Sequence, residues 1–198
     1  MTSGSEKGSV AATPAPAFNR VFTLLAAALI LAFFARVLTE SQIKSPVADE
    51  PPHIASGLSY VSTGIFRGNP QHPPLLKELS GLSMRLDGIQ WPDNPDTRHF
   101  LFGSLAPGEQ PDWSIGRNLI IANGPDRVLF WARLPLILIA TMLAALIYFW
   151  GRELIGDLAA LCALLLFTCD PNIVAHSYTV TMDVGVTAFS VLFLCTLW

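Results

Sequence analysis

Two acidic residues, Asp49 and Glu50, stand side by side just before Pro51, Pro52 and His53. One carboxylate of such a pair can act as a general base while the other binds a hydroxyl or orients a loop. Neighbours at a helix start point in different directions, so they do not form one facing pair. Acids there also simply stabilise the positive end of the helix dipole, by about 0.3–1 kcal/mol. His53 follows Asp49 by four residues, one helical turn, so the two could interact.

A second candidate is Phe66-Arg67-Gly68-Asn69-Pro70-Gln71-His72-Pro73-Pro74. It sets a guanidinium, an amide and an imidazole on a turn stiffened by proline. Arg67 could hold a phosphate through paired hydrogen bonds, with His72 at the start of the helix that follows. A Pro-rich turn with an exposed Arg is the plainer reading. The third candidate is Asp183, which closes Thr179-Val180-Thr181-Met182-Asp183 and opens an apolar run. A carboxylate at membrane depth is costly and is either functional or a helix cap.

Other chemistries lack their signatures. There is no HxH or HExxH spacing for a metal, and no Walker loop, GxGxxG or GxSxG. Cys162, Cys169 and Cys195 lie in apolar runs without ligand-like spacing and read as small hydrophobes. The composition narrows the class. Of 198 residues, 52% are apolar and 14% charged, and the net charge is −3. A soluble domain carries about 25% charged residues. The balance also gives no basic field for nucleic acid.

The elements that must position these residues are membrane helices. A crossing takes roughly 20 apolar residues. Four runs are expected as spans, at about 18–38, 128–150, 155–173 and 181–198, giving an all-α polytopic bundle. The third is weak, because its strictly apolar part covers only Leu158 to Cys169. The first lacks a nearby small-x-small cleavage site and reads as a retained anchor rather than a signal peptide. Residues 1–17, rich in Ser, Gly, Ala and Pro, read as a disordered cytoplasmic tail. Arg133, the only charge inside the second span, is expected to snorkel outward. The fourth run reaches Trp198 with no polar flank, as expected of the N-terminal part of a longer membrane protein; the alternative is a complete four-helix protein.

Alternating crossings put the whole segment 39–127 on one face, together with Arg133, Asp170, His176 and Asp183. Lys7, Arg20 and Arg152 on the opposite face point to a cytoplasmic tail and an external loop. A loop this long needs structure of its own. One helix is expected after Pro51-Pro52 and ending at Gly64. A second is expected from about Pro73 to Leu86, with Leu75, Leu79, Leu82 and Leu86 as a stripe that lies down on the membrane interface and Lys77, Glu78 and Arg85 off it. A third is expected from Trp113 to Ala122 with Asp112 as N-cap and Asn123-Gly124 as stop, while WPDNPD and APGEQPD read as turns.

DEPPHIASGLSYVSTGIFRGNPQHPPLLKEL, DRVLFWARLP and GDLAALCALLLFTCDPNIVAHSYTVTMD, in that order, resemble the GT-C class of membrane glycosyltransferases. The likeness runs from about Val47 to the end and is nearest to the phospholipid-carrier-dependent group of protein O-mannosyltransferases and lipid A aminoarabinose transferases. It implies transfer of a sugar from a polyprenyl-phosphate carrier to a protein or lipid acceptor, on the outer face of the bacterial inner membrane. It also implies that Asp49 is the catalytic acid position and Glu50 its partner, that His72 belongs to a His-Pro-Pro element, and that Asp183 belongs to a Thr-x-Asp element. His72 and Asp183, with Arg67 as the cation beside the phosphate, make up the substrate-binding set. Many relatives carry an acid before the His-Pro-Pro element, where this chain has Gln71, so a divalent metal is doubtful and no cofactor is assigned. The rivals are a transporter fragment, whose site would lie near the midplane, and a non-catalytic four-helix membrane protein.

Overall fold

The computed structural model describes residues 20–106 and 109–198; the expected tail at 1–17 lies outside them. The described residues are all-helical, 77% of them in helices and none in strands. In order, the helices are α1 (Arg20–Ile43), α2 (Glu50–Thr63), α3 (Leu75–Leu86), α4 (Pro95–Phe102), α5 (Asp112–Asn123), α6 (Pro125–Ile155), α7 (Asp157–Cys169), α8 (Pro171–Tyr178) and α9 (Asp183–Leu197).

Two helices, α1 and α6, are long and apolar enough to cross a membrane. The third run counts as a span only if α7 and α8 are joined across a 66° bend. The bend has a local cause. Pro171 cannot continue α7, and the Asp170 carboxylate accepts the Asn172 and Ile173 N–H groups at 2.8 and 3.0 Å, starting a new helix. The fourth run forms α9, only 15 residues long. The described residues therefore hold two to three candidate spans, where four are expected from the sequence.

Helix α6 organises the molecule. One face of it, from Val128 to Leu143, packs with Ile54 and Leu58 of α2, Met84 of α3 and Leu119 of α5. A second face, with Ile137, Ala140, Ala144 and Tyr148, packs with Phe33 of α1, Leu164 of α7 and Val174 of α8. The loop helices thus sit on the same rod as the apolar bundle, which fixes the loop relative to the spans. Leu24 and Leu31 on α1 and Phe193 and Leu194 on α9 stay exposed, as suits contact with lipid rather than protein.

Close backbone contact holds α2 against α3. A Cβ on Gly57 would lie 2.0 Å from the Lys77 carbonyl oxygen, and one on Gly81 would lie 2.1 Å from the Gly57 carbonyl oxygen. Ser80 then ties α3 to α6 by donating to the Ala132 carbonyl at 2.8 Å. The face α3 buries is thus Leu76, Lys77, Ser80, Gly81 and Met84, while Leu75, Leu82 and Leu86 remain exposed.

The ends of the loop helices follow their local chemistry. Gly64 stops α2 at φ 71°, donating to the Tyr60 carbonyl. Asp112 lies inside the first turn of α5, and Pro111 rather than Asp112 is its cap. WPDNPD is not simply a turn: the Asn94 side chain accepts from Thr97 N–H at 2.8 Å and Pro95 opens α4.

Candidate functional site

The two acids diverge as soon as α2 begins. Asp49 is exposed and makes no side-chain cap bond. Glu50 turns inward and is fully buried. Its Oε1 accepts from Arg133 Nε at 2.9 Å and its Oε2 from Arg133 NH2 at 2.7 Å. It also accepts from the backbone N–H of Val180 at 3.0 Å and of Val47 at 3.0 Å. Four charge-assisted bonds saturate the Glu50 carboxylate, so of the two acids only Asp49 is open to solvent.

Arg133 does not snorkel outward. It is fully buried, and beyond Glu50 it donates to the carbonyls of Ser41 at 2.6 Å, Lys44 at 2.9 Å and Ser45 at 3.3 Å. Its guanidinium also lies over the Tyr178 ring, 5.4 Å from the centroid. The carbonyls that α1 leaves open at its C-terminus and one carboxylate use its donors, so burial is compensated. The ends of α1 and α8, the start of α2 and the body of α6 meet at this pair.

One turn into α2, His53 is 3% exposed and meets His72 edge-on, ring centroids 5.0 Å apart. Burial first, then the neighbouring His72 and Lys77 charges, lower the His53 pKa from 6.5 to about 4, against the opposing pull of Asp49 and Glu50. His53 is therefore neutral at pH 7, and its buried Nδ1 has no partner. His72 is exposed. Behind it lies Lys77, fully buried on α3, which donates to the Asn69 carbonyl at 2.7 Å, the His72 carbonyl at 3.0 Å and the Tyr60 hydroxyl at 3.1 Å.

Asp183 opens α9, is exposed, and faces His176 with 3.3 Å between Oδ2 and Nδ1. Its helix approaches α3 closely, since a Cβ on Gly185 would lie 2.1 Å from Leu76 Cδ1. Between them runs an apolar groove of about 360 Å³, lined by Pro73, Leu75, Leu76, Met182, Val186 and Phe189. Neither His72 nor Asp183 lines the groove itself; His72 directly precedes the wall residue Pro73, and Asp183 directly follows the wall residue Met182.

Arg67 is engaged elsewhere. It donates to the carbonyls of Leu101 and Gly103 at the end of α4. It lines a separate cavity of about 380 Å³ with Asn69, Phe100, Gln110 and Asp112. The structure thus brings Asp49, Glu50 and His72 around His53, pairs Asp183 with His176, and engages Arg67 with the end of α4. Among the described residues no three His, Cys, Asp or Glu side chains gather as a metal would require.

Sequence reasoning gave no role to Arg133 as the partner of Glu50, to Lys77 as a buried group, or to the contact of His53 with His72. For Arg133 a signal existed: a lone charge inside an apolar span calls for a partner. Lys77 gave none, because its spacing matches a solvated helix face. No protein-family model matches this chain, and neither does any curated protein or solved structure.

Proposed function

We propose that this chain carries the external-face site of a membrane glycosyltransferase that takes its sugar from a polyprenyl-phosphate carrier, in keeping with its resemblance to the GT-C class. In this reading α7 and α8 form one bent crossing, α9 belongs to a fourth, and the loop from α2 to α5 rests on the outer interface. The observation that carries it is the apolar groove between α3 and α9, whose wall residues Pro73 and Met182 are the sequence neighbours of His72 and Asp183. A prenyl chain fits the groove walls, and its phosphate fits the polar residues beyond them.

In the mechanism, Asp49 removes the proton from an acceptor hydroxyl, whose oxygen attacks the anomeric carbon with inversion. The bond between that carbon and the carrier phosphate breaks, and the phosphate leaves with the electron pair. Arg67 is committed to the α4 carbonyls, so His72 is the group that donates to the departing phosphate. Glu50 and Arg133 fix the start of α2 and with it the position of Asp49. Transport is the less favoured reading, because the exposed acids lie at helix starts rather than midway along a span.

The test is Asp49→Asn in the full chain, reconstituted in vesicles with a panel of polyprenyl-phosphate sugars. The expected result is loss of transfer with an unchanged melting midpoint, because Asp49 makes no cap bond. Wild-type turnover by that variant would remove Asp49 from the reaction.

A further inference from the structure

Lys77 is a buried cation with no carboxylate bonded to it. Among the described residues it forms no ion pair, and its ammonium is met by neutral oxygens alone: the Tyr60 hydroxyl and the carbonyls of Asn69 and His72, with Asn69 Oδ1 farther off at 3.4 Å. Burying an ammonium is costly unless its hydrogen bonds are made, and here three acceptors match its three protons. Burial lowers its pKa to about 8, with Asp112 opposing. Two of the acceptors belong to the short turn that ends in His72. That turn bends sharply at Asn69, whose φ of 48° lies in the left-handed region. The Tyr60 hydroxyl completes the hold by donating to the Gly68 carbonyl. Carbonyls on both sides of Pro70 and Gln71 are therefore fastened to α2 and α3, and the free end of the turn presents His72 to His53.

We propose that Lys77 is a positioning residue, whose ammonium gathers the Tyr60 hydroxyl and the Asn69 and His72 carbonyls and so sets the His72 imidazole over His53 beside Asp49. The geometry does not depend on what reaction the site performs; its use in catalysis rests on the glycosyl-transfer reading above. An apolar residue of similar length at position 77 leaves the two turn carbonyls and the Tyr60 oxygen without a donor. The turn then swings away from α3, and His72 uncovers His53.

The experiment is histidine modification by diethylpyrocarbonate at pH 7 on the full chain in vesicles, read site by site by mass spectrometry. Wild type is expected to react at His72, His99 and His176, which are exposed, and slowly at His53. In Lys77→Met, His53 should react about tenfold faster as charge-assisted bonds are lost, while His99 and His176 keep their rates. Tyr60→Phe removes one acceptor and the donor to Gly68, and should give the same pattern more weakly with the lysine still in place. A rise at all four histidines would mean general unfolding and would overturn a local role, as would an unchanged His53 in both variants. Transfer is measured in parallel. Absent wild-type transfer with the His53 response intact sinks the glycosyltransferase and keeps the positioning role. Normal transfer with no His53 response in either variant sinks the positioning role alone.

Discussion

Glu50 and Arg133, 83 residues apart in sequence, form a doubly hydrogen-bonded ion pair with no exposed surface on either side chain. Breaking such a pair strands a charge, at a cost of about 3–5 kcal/mol. Arg133→Met and Glu50→Gln should each lower the melting midpoint sharply. The double variant should be less damaged than the sum of the two, because neither charge is then left alone. A double-mutant cycle with additive losses would mean that the pair is not coupled.

The α2–α3 crossing predicts a different failure. Gly57→Ala or Gly81→Ala puts a methyl group about 2 Å from backbone of the facing helix. The helices must separate, at a cost of about 1–3 kcal/mol. Gly64→Ala is the control: it meets nothing within 4 Å and bears only the left-handed backbone penalty, about 1 kcal/mol. Separation of α2 from α3 should also raise protease cleavage between residues 64 and 74 in the first two variants and not in the third.

Acid should weaken the protein through His53. Its imidazole takes a proton at about 4 when folded and at 6.5 when unfolded. Between those values the unfolded chain binds more protons, so this contribution is complete above pH 6.5 and is lost as pH falls toward 4. His53→Gln should show a shallower fall of melting midpoint from pH 7 to pH 4.5 than wild type. Equal slopes would assign the acid sensitivity to other groups.

Topology can be read with single cysteines placed at exposed positions 71, 98 and 153 after Cys162, Cys169 and Cys195 are replaced. Membrane-impermeant maleimide on intact cells should label Gln71→Cys and Arg98→Cys, and reach Glu153→Cys only after permeabilisation. Labelling of 71 and 153 from the same side would break the crossing count on which the external site depends.

Much of the loop was legible because its signals are local. The proline pair opens α2, Gly64 closes it, and α3 ends at Leu86 as its periodicity predicts. What escaped was set by tertiary contacts. The leucine spacing of α3 marks a stripe for the membrane interface, and Leu75, Leu82 and Leu86 do stay exposed; what the spacing did not signal is the opposite face, where Ser80 and Gly81 let α6 and α2 lie close. Asp49 and Glu50 look equivalent in sequence, and only the position of Arg133 on α6 separates an open carboxylate from a saturated one. Asn94-Pro95 is both a turn signal and a helix start, and the structure uses it as the latter.

The break at Asp170 also limits how far the third apolar run reaches. Its 13-residue α7 rises about 20 Å, but α8, turned through 66°, adds only about 5 Å along the same direction. A bilayer aligned with α7 therefore meets less than the usual hydrocarbon depth of roughly 30 Å at this point. In the proposed arrangement, where α7 and α8 form one crossing, lipids bordering α8 shorten or tilt to match, drawing the water boundary down on that side.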